Sequence, residues 1–311
     1  TGDNKLYAWG KNNTGQLGLN NTNYYSSPKQ VGATSDWLQV CAGYAHTIGL
    51  RTNGTIWSWG NASYGALGLG NSTYYSSPKQ IGALTNWSQV SAGYYYCAAI
   101  KTDGTLWSWG YNVYGMLGQG NTTNISSPKQ IGTLTNWSFV VTGGDSYGVT
   151  LALKTDGTLW SWGANGTGQL GLGNTSYYSS PKQIGTLTTW TRNLSTNGQT
   201  TLAVTSGGAL YSWGYNNFGQ LGLGTSGAYT DQSSPTQVGS LTTWVSVVNG
   251  SSSFAIKTDG TLWSWGGNGG GQLGLGDRVN RSSPNQVGAL TTWKKLANRV
   301  ISGGTILAIK S

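Results

Sequence analysis

Side chains able to carry out acid–base or nucleophilic chemistry are scarce in this chain of 311 residues. It has eight acidic residues, all of them aspartates, and one histidine, His46. General acid–base catalysis needs carboxyl or imidazole groups with shifted pKa values, and Asp103, Asp156 and Asp259 stand in tight-turn sequences. A serine or threonine nucleophile would need a base, and only His46 could serve in the usual way. We therefore expect a protein without enzymatic activity.

Metal and cofactor chemistry has equally little support. Zinc and iron sites need clustered His, Cys or carboxylate ligands, whereas His46, Cys41 and Cys97 stand isolated along the sequence. Residues 168–173 have the glycine spacing of a phosphate-binding turn, but they follow a predicted hairpin and open no helix. We expect no cofactor, no metal site and free thiols.

Recognition by exposed loops is better supported than catalysis. Tyrosine pairs lie among Asn, Ser and Thr just before a recurring proline, a composition typical of adaptable recognition surfaces and suited to stacking on sugar rings. These candidate binding residues are Tyr24, Tyr25, Tyr74, Tyr75, Tyr177 and Tyr178, with Lys29, Lys79, Lys129 and Lys182 just after the proline. The tyrosines could instead cover an outer strand. The lysines could attract an acidic partner or protect a sheet edge from aggregation.

These candidates belong to a repeat of about fifty residues, because three markers each occur six times in the same register. The dipeptide Trp-Gly ends at Gly10, Gly60, Gly110, Gly163, Gly214 and Gly266; the prolines are Pro28, Pro78, Pro128, Pro181, Pro235 and Pro284; and a further tryptophan stands at Trp37, Trp87, Trp137, Trp190, Trp244 and Trp293. Repeats of this length are typical of propellers and solenoids.

Each repeat carries the signals of about four β-strands. An Asp-Gly or Asn-Gly pair between apolar segments, as in residues 101–110, predicts a tight hairpin. A strand of small residues precedes it, and a glycine-rich loop then leads to a proline-containing strand suited to a sheet edge. Tryptophans two residues apart, such as Trp57 and Trp59, face one side of their strand and would fill the gap between sheets.

The two ends of the chain predict how the repeats are arranged. Residues 307–311 match the first half of the hairpin, and residues 1–10 match its second half. We therefore predict a single all-β domain, residues 1–311, forming a six-bladed propeller of four-stranded blades closed by a clasp between the N- and C-terminal strands. The approximate blades are 37–86, 87–136, 137–189, 190–243, 244–292, and 293–311 completed by 1–36.

The repeat has a recognisable consensus, Gly-x-Leu-Trp-Ser-Trp-Gly-x-Asn-x-x-Gly-Gln-Leu-Gly-Leu-Gly followed by Pro, which residues 157–173 and 260–276 carry most fully. It resembles the regulator of chromosome condensation repeat along the whole chain. The resemblance implies a propeller. Members of that family form seven blades, whereas this sequence has six repeats and departs from the family in that respect. The resemblance also implies several alternative activities: nucleotide exchange on a small GTPase, light sensing by clustered tryptophans, inhibition of secreted β-lactamases, or general partner binding.

Charge and composition bear on partners and location. The formal net charge is +9, but the basic residues are dispersed along the repeats, which argues against a nucleic-acid partner. No apolar run approaches the length of a membrane span, so membrane insertion is not expected. Charged residues make up only 8 % of the chain, and the neutral polar loops and nearly identical repeats favour an extracellular, cell-surface or virion-surface protein.

The sequence thus predicts a non-catalytic recognition or scaffolding module that binds a protein partner through loops of a rigid propeller, on an external surface or in a surface assembly. The alternative is a multivalent lectin that uses one equivalent Tyr/Asn site per blade. A lectin needs the same ligand residues in every repeat, whereas a protein-binding face should concentrate its irregularities on neighbouring repeats.

Overall fold

The structure, a computed structural model, describes residues 4–143, 146–296 and 308–310. The chain forms two compact units. The first consists of Thr1–Thr155 and Tyr178–Pro181, and the second consists of Asp156–Tyr177 and Lys182–Ser311. The prediction of a single domain and the predicted blade limits stay predictions.

Twenty-four strands and one short 3-10 turn make up the regular structure of the described residues. The strands are β1 Tyr7–Gly10, β2 Tyr25–Gln30, β3 Trp37–Ala42, β4 His46–Arg51, β5 Ile56–Gly60, β6 Tyr75–Gln80, β7 Trp87–Ala92, β8 Tyr96–Lys101, β9 Leu106–Gly110, β10 Ile125–Gln130, β11 Trp137–Thr142, β12 Val149–Lys154, β13 Leu159–Gly163, β14 Tyr178–Gln183, β15 Trp190–Thr196, β16 Thr200–Thr205, β17 Leu210–Gly214, β18 Gln232–Gln237, β19 Trp244–Asn249, β20 Ser252–Lys257, β21 Leu262–Gly266, β22 Arg281–Gln286, β23 Trp293–Leu296 and β24 Ala308–Lys310. The 3-10 turn is Ser63–Gly65.

The strands form five four-stranded sheets in sequential order, β3–β6, β7–β10, β11–β14, β15–β18 and β19–β22, and two-stranded sheets β1–β2 and β23–β24. The predicted four strands per repeat are therefore confirmed. In each four-stranded sheet the proline-containing strand is an edge strand, as expected of a residue that lacks a backbone N–H. The predicted clasp involves residues 1–3, 297–307 and 311, which lie outside the described residues. The described residues include no helix with the length and apolarity of a membrane span.

The predicted hairpin turns are confirmed, and the turn at Asp103 shows how they form. Strands β8 and β9 pair antiparallel up to Ile100 and Leu106. Gly104 has a positive φ of 77°, and its N–H donates to the Lys101 carbonyl at 3.0 Å. The Asp103 carboxylate accepts hydrogen bonds from the Thr105 hydroxyl and N–H at 2.6 and 2.9 Å. These bonds lower the pKa of Asp103.

The apolar core of each unit lies between consecutive sheets. In the first unit Ile48, Leu50 and Ile56 pack with Trp87 and Trp109 of the following sheet. The second unit repeats this arrangement with Leu202 and Leu210 against Trp244 and Trp265. The second tryptophan of the spaced pairs is fully buried, at Trp59, Trp109, Trp162 and Trp265. This confirms the prediction that these tryptophans fill the core.

A fully buried asparagine holds the glycine-rich loop in five repeats, at Asn12, Asn112, Asn165, Asn216 and Asn268. The amide nitrogen of Asn112 donates to the carbonyls of Asn121 and Thr123 at 3.0 and 2.9 Å. Its side-chain oxygen accepts from the Leu117 N–H at 2.9 Å. One side chain therefore satisfies three backbone groups of the loop, which would be costly to bury without partners.

The same loop contacts the edge strand of the next repeat. The Gly70 N–H donates to the Ser126 carbonyl at 2.8 Å, and within the second unit the Gly224 N–H donates to the Ser282 carbonyl at 2.7 Å. The loop also accepts a hydrogen bond from the next core tryptophan, because the Trp109 indole N–H donates to the Ala66 carbonyl at 3.1 Å. Loops between strands are therefore fixed by neighbouring repeats.

Candidate recognition surface

The tyrosines and lysines predicted from the sequence lie at or just before the edge strands. Tyr25, Tyr75 and Tyr178 are the first residues of β2, β6 and β14, and Lys29, Lys79, Lys129 and Lys182 lie on the edge strands. The Lys29 ammonium lies 5.6 Å from the centroid of the Tyr25 ring, and that of Lys79 lies 5.5 Å from the Tyr75 ring. In these two repeats the candidates form separate Tyr–Lys pairs. Their role in binding stays a prediction.

A larger group of aromatic side chains lies in loops of the first unit. We call it the tyrosine patch, and it comprises Tyr44, Tyr64, Tyr74, Tyr94, Tyr95 and Tyr111. Only Tyr74 among these six was predicted from the sequence. Tyr44, Tyr64 and Tyr74 are exposed to solvent by 57, 50 and 50 %, respectively. The patch is therefore a solvent-accessible surface rather than part of the core.

The rings of the patch are in direct contact. The Tyr44, Tyr94 and Tyr95 rings form a triangle, with centroids 4.6 Å apart for Tyr44–Tyr94, 4.7 Å for Tyr94–Tyr95 and 5.6 Å for Tyr44–Tyr95. Tyr64 lies 5.6 Å from Tyr95 and 4.7 Å from Tyr111. Interplanar angles between 41° and 79° make every contact tilted or edge-to-face, an arrangement that aromatic rings favour.

Backbone hydrogen bonds place the loops that carry these rings. Gly93 donates to the Tyr96 carbonyl at 2.8 Å, which leaves Tyr94 and Tyr95 at the tip of the turn between β7 and β8. The Tyr44 N–H donates to the Tyr94 carbonyl at 3.1 Å, and the Tyr111 N–H donates to the Tyr95 carbonyl at 2.9 Å. The patch is thus connected by main-chain bonds between two neighbouring repeats.

Tyr64 adopts a backbone conformation that is unusual for its residue type. Its φ is 60°, in the left-handed region, within the turn Ser63–Gly65. Non-glycine residues in this region carry a conformational cost and concentrate at functional sites. The neighbouring Ser63 hydroxyl is hydrogen-bonded to the Tyr74 hydroxyl at 2.9 Å. The loop therefore holds an exposed aromatic ring in a fixed and strained position.

The electrostatics of the patch keep it neutral. Burial, followed by the neighbouring hydroxyls of Tyr94, Tyr44, Tyr74 and Tyr64, raises the pKa of Tyr95 to about 12. The first unit has two described carboxylates, Asp36 and Asp103. Asp36 precedes β3 and Asp103 lies in the β8–β9 turn, so both are at the end of the strands opposite the patch. The raised pKa keeps the Tyr95 hydroxyl protonated at neutral pH, and among the described residues of the first unit no carboxylate lies beside the patch.

Tyr95 should ionise near pH 12. Because the folded state favours the neutral phenol, its contribution to stability is present below about pH 10 and is lost as pH rises from about 10 to 12, where the unfolded tyrosine ionises first. A difference titration of tyrosinate absorbance between the wild type and Tyr95→Phe measures this. Tyr95→Phe should lack one tyrosine that ionises near pH 12 in the wild type. If the tyrosine missing from its titration curve is one that ionises near pH 10, the prediction is contradicted.

A separate aromatic feature occurs in the second unit. Tyr229 is fully exposed, at 103 %, with a left-handed φ of 68° in the irregular loop between β17 and β18. The loop is tied to its own base because the Gly227 N–H donates to the Asn217 carbonyl at 3.1 Å. The nearby Phe218 is 41 % exposed and contacts Tyr215 with centroids 6.5 Å apart.

The single histidine and the two cysteines lie in the part of the chain that the structure describes. The His46 Nε2 lies 3.3 Å from the buried Cys97 sulfur, so His46 is a hydrogen-bonded structural residue. Burial, with a smaller effect of Cys41, raises the pKa of the Cys97 thiol, which lowers its reactivity. Cys41 and Cys97 are not joined by a disulfide bond. Among the described residues no three His, Cys, Asp or Glu side chains are grouped as metal ligands.

The recurring sheets, tryptophans and loops agree with a known repeat. The model of the "Regulator of chromosome condensation (RCC1) repeat" matches six segments, residues 3–50, 53–100, 103–151, 156–199, 207–256 and 259–301. The chain belongs to the RCC1 repeat family. A second RCC1 repeat model matches residues 37–66, 87–115 and 192–220.

Curated proteins with RCC1 similarity match less than half of this chain. The "Ultraviolet-B receptor UVR8" of Arabidopsis thaliana is 34 % identical over 137 residues, which is 42 % of this chain and 30 % of the receptor. The "Probable E3 ubiquitin-protein ligase HERC6" of Homo sapiens is 37 % identical over 134 residues, 42 % of this chain and 13 % of HERC6. The matched regions are thus small parts of both relatives.

Solved RCC1-type structures share the fold over nearly the whole chain. Human WBSCR16 is 24 % identical with a TM-score of 0.79, covering 96 % of this chain and 80 % of that one. Yeast RCC1 (Prp20), solved bound to Kap60, is 18 % identical with a TM-score of 0.68, covering 99 % and 89 %. The predicted all-β propeller class with four-stranded blades is confirmed.

Most of the tyrosine patch was missed by sequence reasoning. A signal was available in residues 43–47 and 93–97, where Tyr44 in one repeat and Tyr94 and Tyr95 in the next precede a strand at matching positions. Tyr64 and Tyr111 could not be found in this way, because their contacts depend on the path of a second loop.

Proposed function

We propose that this RCC1-family chain is a non-catalytic recognition module that binds a protein partner through the tyrosine patch. The observation that carries the proposal is the contiguous, half-exposed group of tyrosine rings held on rigid loops. Tyrosine supplies large contact area with only two rotatable side-chain angles, so ordering it on binding costs little conformational entropy. Exposed aromatic groups of this kind are enriched among the energetically dominant residues of protein interfaces.

The distribution of these tyrosines among the repeats favours a protein partner over a repeated sugar site. The turn position of Tyr44 and Tyr94 is occupied by Tyr147 in the following repeat but by Gly198 and Gly250 in later repeats. In those later repeats Thr201 and Ser253 make the hydrogen bonds that Thr47 makes to the preceding loop. A lectin with one site per repeat would need equivalent ligands throughout. A surface present in some repeats and absent from others suits one asymmetric partner.

Proteins of similar structure give a less specific precedent for protein binding. Yeast RCC1 (Prp20) was solved bound to Kap60, and Prp20p is described for its binding to Gsp1p and histones. These are properties of the yeast protein, which shares the fold at 18 % identity. They support protein binding as a use of RCC1-type propellers, while the partner of this chain must be found from its own surface.

Selection of binders from a random peptide display library on the purified chain tests the proposal. A double variant, Tyr44→Ser with Tyr64→Asn, removes two exposed rings, and asparagine tolerates the left-handed φ of position 64. Selected peptides should bind the double variant about tenfold more weakly, the loss expected when aromatic interface anchors are removed.

Tyr24→Ser is the matched control, because Tyr24 is 63 % exposed in the same unit but lies outside the patch. It should leave binding unchanged. Failure to enrich any peptide, or enrichment of peptides that bind the double variant as tightly as the wild type, would refute the patch as the partner site. Loss of binding in Tyr24→Ser alone would instead assign recognition to the edge-strand tyrosines.

A further inference from the structure

We infer that the partner segment recognised by the tyrosine patch is an uncharged, proline-rich stretch in the polyproline II conformation. This inference rests on the proposed function and specifies its partner. Proline-rich segments dock into grooves lined by aromatic rings, where their preformed helix reduces the entropy lost on binding. The patch offers the required lining through contacts between rings that are tilted rather than stacked.

The rings of the patch meet at an angle rather than in a coplanar stack. Tyr64 and Tyr95 meet at 65°, as do Tyr44 and Tyr95, while Tyr64 and Tyr111 meet at 48°. A coplanar stack would hide its faces, but tilted neighbours leave parts of both faces open. The exposure of Tyr44 and Tyr64 by 57 and 50 % shows that this apolar surface reaches solvent.

The spacing of the rings fits the period of the proposed ligand. Tyr44 and Tyr64 each lie 5.6 Å from Tyr95, so their own separation is at most twice that distance. A polyproline II helix rises about 3.1 Å per residue with three residues per turn, so prolines on one face repeat every ~9 Å. This upper limit on the separation of Tyr44 and Tyr64 is compatible with two successive prolines of one face contacting the rings on either side of Tyr95.

The polar groups of the patch complement a polyproline backbone. This helix has no internal hydrogen bonds, and its carbonyl groups remain available as acceptors. The Tyr95 phenol, whose pKa of about 12 keeps it protonated at neutral pH, is a donor within the row of rings. A surface that offers hydroxyl donors suits a chain whose prolines lack N–H groups and present only acceptors.

Charge favours this ligand over a cationic one, which aromatic rings can also bind. The described carboxylates of the first unit lie at the opposite end of its strands, and the whole chain carries a formal charge of +9. Among the described residues of the first unit no carboxylate lies beside the patch, and the net positive charge of the chain opposes the approach of a cation. A neutral segment needs no nearby anion and is not repelled by the net positive charge of the chain.

Titration with labelled peptides by fluorescence anisotropy tests the inference. The probe is an oligoproline of about nine residues, which is three turns of polyproline II helix. A Gly-Ser peptide and an oligolysine of the same length serve as comparison ligands. The oligoproline should bind the wild type at least about tenfold more tightly than either peptide, and Tyr44→Ser with Tyr64→Asn should abolish that preference.

Tyr229→Asn, which replaces a fully exposed tyrosine with a left-handed φ outside the patch, should retain the preference for oligoproline. Equal binding of oligoproline and Gly-Ser peptide would overturn the inference, and preferential binding of oligolysine would replace it with cation recognition. If oligoproline fails while the display library still yields peptides that depend on Tyr44 and Tyr64, only the ligand class is wrong. If no peptide depends on these residues, the proposed function fails as well.

Discussion

Replacing Gly104 by alanine should lower the free energy of unfolding by about 3 kcal/mol or more. Gly104 has a φ of +77°, which costs an L-residue about 1–2 kcal/mol. The added Cβ would also lie 2.0 Å from the Thr135 carbonyl oxygen, a backbone atom that cannot rotate away. The main chain would have to shift to remove this clash. That shift would weaken the 3.1 Å hydrogen bond from the Trp137 N–H to the Gly104 carbonyl.

Gly132→Ala is the matched control for this prediction. Its φ of +58° is equally left-handed, but its added Cβ would meet nothing within 4 Å. Only the conformational cost of about 1–2 kcal/mol should remain. Chemical denaturation of both variants measures the difference. Equal destabilisation would show that the chain accommodates the close approach at Gly104 without cost.

Replacing Asn112 by alanine should destabilise the chain by about 3 kcal/mol, because the backbone groups of Asn121, Thr123 and Leu117 lose their buried partner. Each unsatisfied buried group costs about 1–3 kcal/mol, partly offset where water enters. Urea denaturation monitored by tryptophan fluorescence is a suitable measurement, since sixteen tryptophans report on unfolding.

Asn121→Ala provides the comparison within the same loop. Its exposed side chain accepts a hydrogen bond from the Thr123 N–H at 3.0 Å, while its carbonyl, the acceptor for Asn112, is unchanged by the substitution. The expected loss is below about 1 kcal/mol. If Asn112→Ala lowers the free energy of unfolding no more than Asn121→Ala does, the loop is held by its contacts with the next repeat.

The fold was predictable because its determinants recur in the sequence. Pro78 and its equivalents indicated the edge strands, and Asp103-Gly104 indicated a hairpin; the structure places both as expected. The spacing of Trp57 and Trp59 indicated a buried face, which holds for Trp59, whereas Trp57 is only partly buried. Such signals are local, so one sequence suffices to detect them. The role of the buried asparagines, in contrast, was not apparent, because Asn112 acts on residues five to eleven positions away.

The candidate surface was predictable only in part, since its residues differ between repeats and meet across them. Tyr74 belongs to a recurring pattern and was predicted, whereas Tyr95 replaces Ala45 of the preceding repeat. Tyr64 contacts Tyr95 only because a left-handed turn directs its loop towards the next sheet. No periodicity encodes that path, so residues that vary among repeats carry the information about partners.

The contact between each glycine-rich loop and the following edge strand has a consequence for synthesis on the ribosome. The N–H groups of Gly70 and Gly120 find their acceptors, Ser126 and Ser179, only after roughly one further repeat has been translated. Synthesis proceeds at about 5–20 residues per second, so each loop remains incomplete for several seconds. A nascent chain should therefore mature one repeat behind its point of emergence, and a stalled ribosome should display an unfinished final repeat that is accessible to chaperones.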